Sequence, residues 1–257
     1  MKPKDCYDNT SARAKVLLRL HDGLINRRQY RIRADWASAF RRIMHWPQNH
    51  IIDRVDSADV LLILRHGSRL TRHDFVSDSL DDLLRAALTF AVSALDRYVH
   101  ERVVKGVITA LKAKHLTRRQ EDFTVPAVVA VQIADQVARA QREKRAVRPA
   151  NEVRKAIQEL LHQRPFQNWR ELEFAFDLIG ITNLAGPLQT AYHLANIRPV
   201  RDQLNKLVEK RNRIVHEGDL VRHERGGRVR KQDISRHYVD QSLRFLDTLV
   251  ANLETVR

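Results

Sequence analysis

The sequence predicts an all-α protein, and three observations carry that prediction. Helix breakers are scarce, with 8 Gly and 7 Pro among 257 residues. Apolar side chains recur at three- and four-residue spacing in run after run. The balance of 43% hydrophobic and 30% charged residues, with only 6% aromatic, suits water-facing amphipathic helices.

Taken in order, residues 1–10 read as disordered, and Ala14, Val16, Leu17, Leu20 and Leu24 predict a helix over Ser11–Ile25. A second is predicted over Arg28–Trp46 from Tyr30, Ile32, Trp36, Phe40 and Ile43, with Pro47 just beyond its end. Val60–Leu64 is a short apolar run within an irregular 48–76 stretch, and periodicity leaves a helical turn and a strand equally open. Ser79, with Asp82 three residues on, resembles a capping box. It opens the longest patterned run, through Leu80, Leu84, Ala87, Ala91, Leu95, Tyr98 and Val99 and on past Gly106 to Leu111. Further helices are predicted over Pro126–Lys144, Pro149–His162, Trp169–Leu178 and, shorter, Leu188–Ala195. The helix after Pro199 carries Val200, Leu204, Leu207, Val208, Ile214 and Val215 on one face; the last runs from Ile234 through Tyr238, Phe245, Leu249 and Leu253. These runs divide the chain into a basic N-terminal helical extension, 1–76, and a helical bundle domain, 77–257, with no repeat of fixed period.

A formal net charge of +15 and a pI near 10.5 make a polyanion the expected partner. A membrane surface is disfavoured, because the charge is spread over many helices and no apolar run approaches the roughly 18 residues of a span. Met1-Lys2-Pro3-Lys4-Asp5 lacks the apolar core of a secretory signal. The lone Cys6 excludes an internal disulfide and a multi-thiolate zinc site, which fits a cytoplasmic setting; in a frayed terminus it is expected to be incidental.

The chemistry concentrates in Arg211-Asn212-Arg213-Ile214-Val215-His216-Glu217-Gly218-Asp219. At about 100° per residue Arg211 falls within the apolar stripe, where another Leu would fit. A guanidinium there needs a partner or a wet cleft. His216 lies about 140° further round and just before Gly218, a helix stop, where the macrodipole favours an imidazolium. Asn212 is i,i+4 to His216 and so placed to orient its ring or to bind phosphate. A second segment, Ala94-Leu95-Asp96-Arg97-Tyr98-Val99-His100-Glu101, sets Asp96 and His100 one helical turn apart.

Together these two segments resemble the RiboL-PSP branch of the HEPN superfamily, whose hallmark is Arg-x-x-x-x-His, often with Asn after the Arg, behind an Ala-Leu-Asp-x-Tyr-Val-His-Glu-like helix. The resemblance covers about 79–257 and implies a HEPN-like helical bundle with extra N-terminal helices. It also implies a homodimer whose facing surfaces share one composite ribonuclease site, as in HEPN toxins and phage-defence effectors held in check by an antitoxin or sensor. Arg211, His216 and Asn212 are then the catalytic set, and Asp96 and His100 support it by fixing Arg211 or by joining the two helices. Arg213 and the basic loop residues Arg222, Arg225, Arg228, Arg230 and Lys231 are candidate RNA contacts, since flexible basic loops track phosphates. No cofactor and no metal is expected.

The competing reading is a non-enzymatic helical module, an RNA-binding or dimerisation adaptor that keeps the bundle without using the site. Other catalytic classes fit poorly. His100-Glu101 and His223-Glu224 lack a second His four residues on, and neither a Walker loop nor a Gly-x-Ser-x-Gly elbow is present. His21-Asp22 and His73-Asp74 are similar to the pair of HD phosphohydrolases, but no convincing set of further ligands assembles around them.

Overall fold

The computed structural model describes residues 2–25, 27–28, 51–55, 60–64, 77–113, 149–162, 164–220 and 231–256, with a few isolated positions between. Among these are seven helices: α1 (Pro3–Ile25), α2 (Ser77–Ala113), α3 (Pro149–His162), α4 (Trp169–Leu178), α5 (Ala185–Ala191), α6 (Arg198–Glu217) and α7 (Arg236–Thr255). Strands β1 (Arg27–Arg28), β2 (Ile51–Val55) and β3 (Val60–Leu64) form an antiparallel sheet in that order, with Arg27 opposite Val55 and Ile51 opposite Leu64. The helical class holds for the body of the protein, and the ambiguous Val60–Leu64 run resolves as a strand.

The 37-residue α2 is the axis of the fold. Its buried positions come in adjacent pairs, Ala87-Leu88, Ala91-Val92, Ala94-Leu95, Tyr98-Val99 and Val103-Val104. Apolar pairs on successive turns cover more than one face, so such a helix needs neighbours on several sides. It has them: α1, α3, α4, α6 and α7 all pack against it. Gly106 is the point of closest approach, since a Cβ there would lie 2.5 Å from Ile179 Cγ2 and 2.9 Å from Ile179 Cβ.

Two expectations about the N-terminus are corrected. Residues 3–10 are helical, not disordered, and Cys6 is buried within that helix. The reason is packing beyond the reach of local pattern. Tyr7, Ser11, Ala14, Leu18 and His21 make one buried stripe against the bundle, and the Tyr7 hydroxyl donates to Asp247 Oδ1 of α7 at 2.8 Å. The small Ser11 and Ala14 let α1 lie close along α2. A third correction is local: Arg28, expected to start a helix, pairs instead with Arg54 in the sheet. The remainder of the predicted Arg28–Trp46 helix lies mostly outside the described residues, as does most of Pro126–Lys144.

Most later elements follow their sequence signals, but the short helix expected over Leu188–Ala195 spans Ala185–Ala191 instead, ended by the left-handed turn at His193 (φ 52°). Trp169–Leu178 and Pro149–His162 are helices with the expected bounds. α7 begins one residue after its cap, Ser235, whose hydroxyl accepts from Tyr238 N at 3.1 Å. Among the described residues no helix is long and apolar enough to cross a membrane.

Candidate functional site

α6 ends on Gly218, whose φ of 62° is the left-handed turn that glycine adopts without strain. Asp219 follows, also left-handed at φ 58°, and its amide donates to Arg213 O at 3.0 Å. The double left-handed step folds the fully buried Asp219 carboxylate back beneath the helix. There it accepts from Lys210 Nζ at 2.9 Å on each oxygen and from Arg85 Nε of α2 at 3.1 Å. Arg85 also donates to Gln232 O at 2.7 Å and to Asp82 at 3.1 Å. Gln232 N donates to Asp219 O at 2.7 Å, and Leu220 bridges Lys231, so the same residue closes the base of the 221–230 loop. Three elements are thereby clamped where the candidate catalytic turn ends.

The buried cation of this turn is therefore Lys210, at 8% exposure, while Arg211 is half-buried. The shielded Arg211 Nε has no hydrogen-bond partner, and its Nη1 donates to Asn212 Oδ1 at 3.0 Å. Asn212, Arg213 and His216 point a different way. With Asn168, Arg170 and Asn205 among other residues, they line a groove of about 850 Å³ between the end of α6 and the start of α4. Arg211 is not among its lining residues. The divergence expected from helical geometry is thus present: within one chain His216 faces the groove, and Arg211 reaches it only through the amide of Asn212.

The far wall of the groove is built by helix capping. Asn168 Oδ1 accepts from Glu171 N at 3.0 Å, and Asn205 Oδ1 of α6 accepts from Trp169 N at 3.1 Å. The positive end of the α4 dipole is thereby held against α6, beside Arg170 and Arg213. Glu209 and Glu217 line the same groove, so its charge is mixed. His216 is exposed at the groove; Val215 and Leu220, near it in the sequence but not among the lining residues, are 47% and 39% exposed.

Asp96 and His100 lie elsewhere in the bundle, and among the described residues neither is bonded to Arg211. The His100 ring meets Asp96 O at 2.8 Å and Leu161 O at 3.0 Å and packs on Phe166 at 4.7 Å between centroids. Asp96 Oδ1 accepts from Phe166 N at 2.6 Å. Neither expected role, fixing Arg211 or joining α2 to α6, matches these contacts: the pair instead ties α2 to the connection between α3 and α4, because Leu161 and Phe166 are what pack against it.

Arg222, Arg225, Arg228 and Arg230 lie outside the described residues. Lys231 is described and is engaged with Asp82, at 2.7 and 2.8 Å to its two oxygens. Partial burial opposes ionisation of Asp82, but the Lys231 and then the Arg85 interactions prevail and hold its carboxyl below the ordinary range. Sequence reasoning missed the Lys210–Asp219–Arg85 cluster and the groove's Asn168, Arg170 and Asn205. Of these only Asn168 had a local signal: with Glu171 three residues on it is a capping pattern.

Comparison with curated proteins and with solved structures returned no match. The model of one family, RiboL-PSP-HEPN, matches residues 56–256, from before α2 to the end of α7. That match takes in both the Asp96–His100 turn and the Arg211–His216 turn, and the chain belongs to the RiboL-PSP-HEPN family.

Proposed function

We propose that this protein is an endoribonuclease that cleaves RNA by attack of the 2′-hydroxyl on the adjacent phosphorus, at a composite site made by two copies of the chain. HEPN domains are often ribonucleases and often bind RNA and dimerise. The observation that carries the reading is the grouping of His216, Asn212 and Arg213 on one groove while Arg211 leaves it. A second copy related by a two-fold axis supplies the missing guanidinium, because an isologous contact brings two copies of every residue to the shared surface. The exposed Val215 and Leu220, near His216 in the sequence, offer apolar area for that contact.

In this scheme His216 moves protons, from the 2′-hydroxyl or to the leaving 5′-oxygen, as an imidazole ring can. Arg211 forks onto the phosphoryl oxygens and stabilises charge that builds in the transition state. Asn212 holds Arg211 through its carbonyl and keeps its amide N–H groups for phosphate or for the His216 ring. Arg213 and the 222–231 loop steer the RNA backbone. The donor set calls for neither a metal nor a cofactor. A toxin or phage-defence role, restrained by an antitoxin or sensor, is the setting we infer.

The test is direct. Arg211→Ala and His216→Ala each abolish cleavage of RNA, and any growth arrest on expression, while leaving a folded dimer. Cleavage by the unmodified protein persists in EDTA. A pure, folded dimer that binds RNA and cuts none overturns the proposal in favour of an adaptor.

A further inference from the structure

A second cleft, of about 430 Å³, lies on the other side of the first turns of α4, lined by Arg164, Arg170, Phe174, Asp177, Thr182 and Asn183 among others. It is not a phosphate site by charge, since Glu173 and Asp177 line it alongside Arg164 and Arg170. What it has is a flat platform. The guanidinium carbon of Arg164 sits 3.5 Å from the centre of the Phe174 ring, a distance only a face-on stack permits. Arg164 Nε donates to Glu171 Oε2 at 2.5 Å, and Glu171 is fixed in turn by the Asn168 cap. The plane is therefore held from two directions, yet 43% of the Arg164 side chain remains exposed.

Edge-reading groups surround the platform. Asn183 Oδ1 accepts from Gly186 N at 3.0 Å, which sets the amide so that its N–H groups are the outward donors. Thr182 adds an exposed hydroxyl. Arg170 lines both this cleft and the groove that holds His216, so the two adjoin across one exposed side chain.

We propose that this cleft is a nucleobase subsite: the base of one nucleotide of single-stranded RNA stacks on the Arg164–Phe174 platform, its polar edge on Asn183 and Thr182, while its backbone passes Arg170 toward His216. A planar shelf with mixed-charge, hydrogen-bonding walls suits an unstacked base and repels a bare phosphate. That this base neighbours the scissile phosphate rests on the nuclease reading; that a base binds here does not.

The experiment uses the full-length chain carrying His216→Ala and short single-stranded RNA containing one 4-thiouridine. After irradiation, cross-linked peptides are mapped by mass spectrometry, and affinities are measured for added Arg164→Lys and Phe174→Leu. We expect cross-links within 164–185. We expect Arg164→Lys, which keeps the charge and loses the plane, to weaken binding by roughly tenfold with an unchanged salt dependence. Cross-links confined to other segments, or unchanged affinity in both variants, overturn the subsite even if the unmodified protein cleaves RNA. Cross-links in the cleft of a protein that cuts nothing leave the subsite standing and remove the nuclease. A chain that binds no RNA removes both.

Discussion

Asp219→Asn isolates the clamp at the end of α6. Asparagine tolerates the left-handed backbone at φ 58° and nearly preserves shape, so the change is one of charge. The carboxylate is fully buried and compensates two cations whose side chains are 8% and 9% exposed, Arg85 and Lys210. They are not left in equal difficulty. Asparagine leaves one oxygen for the two cations to share; beyond it Arg85 keeps Gln232 O at 2.7 Å and Asp82 at 3.1 Å, whereas Lys210 keeps the long contact to Asp233 O at 3.4 Å. Removing one partner of a buried pair costs about 3–5 kcal/mol, and with Arg85 partly rescued the lower end, about 3 kcal/mol, applies. Against a typical domain stability of about 5–15 kcal/mol that is a large fraction, measurable by urea unfolding followed by far-UV circular dichroism. Adding Lys210→Met to Asp219→Asn removes the stranded ammonium and recovers most of the loss. A cost below about 1 kcal/mol for Asp219→Asn, or a double variant no better than the single one, refutes the reasoning.

Gly106→Ala is expected to destabilise by about 1–3 kcal/mol despite the roughly 1 kcal/mol that alanine gains over glycine in a helix, because the new methyl meets the branched carbon of Ile179; the same urea titration decides it. Burial, then the hydrogen bonds to Asp247 and Glu254, push the Tyr7 and Tyr98 phenols well above their ordinary range. The folded state therefore keeps protons that the unfolded chain gives up above about pH 10, so this contribution to stability is complete below that pH and is lost as pH rises beyond it. Stability falls from about pH 9.5 to about pH 11, and Tyr7→Phe with Tyr98→Phe lessens that fall by up to about 1.4 kcal/mol per tyrosine for each pH unit above the unfolded value; identical pH slopes in parent and double variant contradict that.

Periodicity exposed the bundle because α2, α6 and α7 each bury an apolar pattern that stands in the local sequence. It failed at residues 3–10, where the driving contacts are distant: Tyr7 is held by Asp247, 240 positions away. It also placed the intruding cation at Arg211, one residue from the buried one. Nothing local says that Lys210 is received by Asp219, because that pairing depends on two successive left-handed residues and on Arg85 arriving from another helix. The groove was half legible. Asn212, Arg213 and His216 share it as one helical turn must, but Asn168, Arg170 and Asn205 join them only when α4 docks on α6. The roles of Asp96 and His100 depended on Leu161 and Phe166, whose approach no spacing on α2 announces.

In the function we propose, a hydroxyl of the RNA itself is the nucleophile, assisted by His216 and by Arg211 from the facing copy. The most direct measurement is the chemistry of the cleaved ends in EDTA. The expected fragments end in a 2′,3′-cyclic phosphate and are absent with Arg211→Ala or His216→Ala. Fragments ending in a 3′-hydroxyl, or cleavage that stops when divalent metal is removed, contradict it.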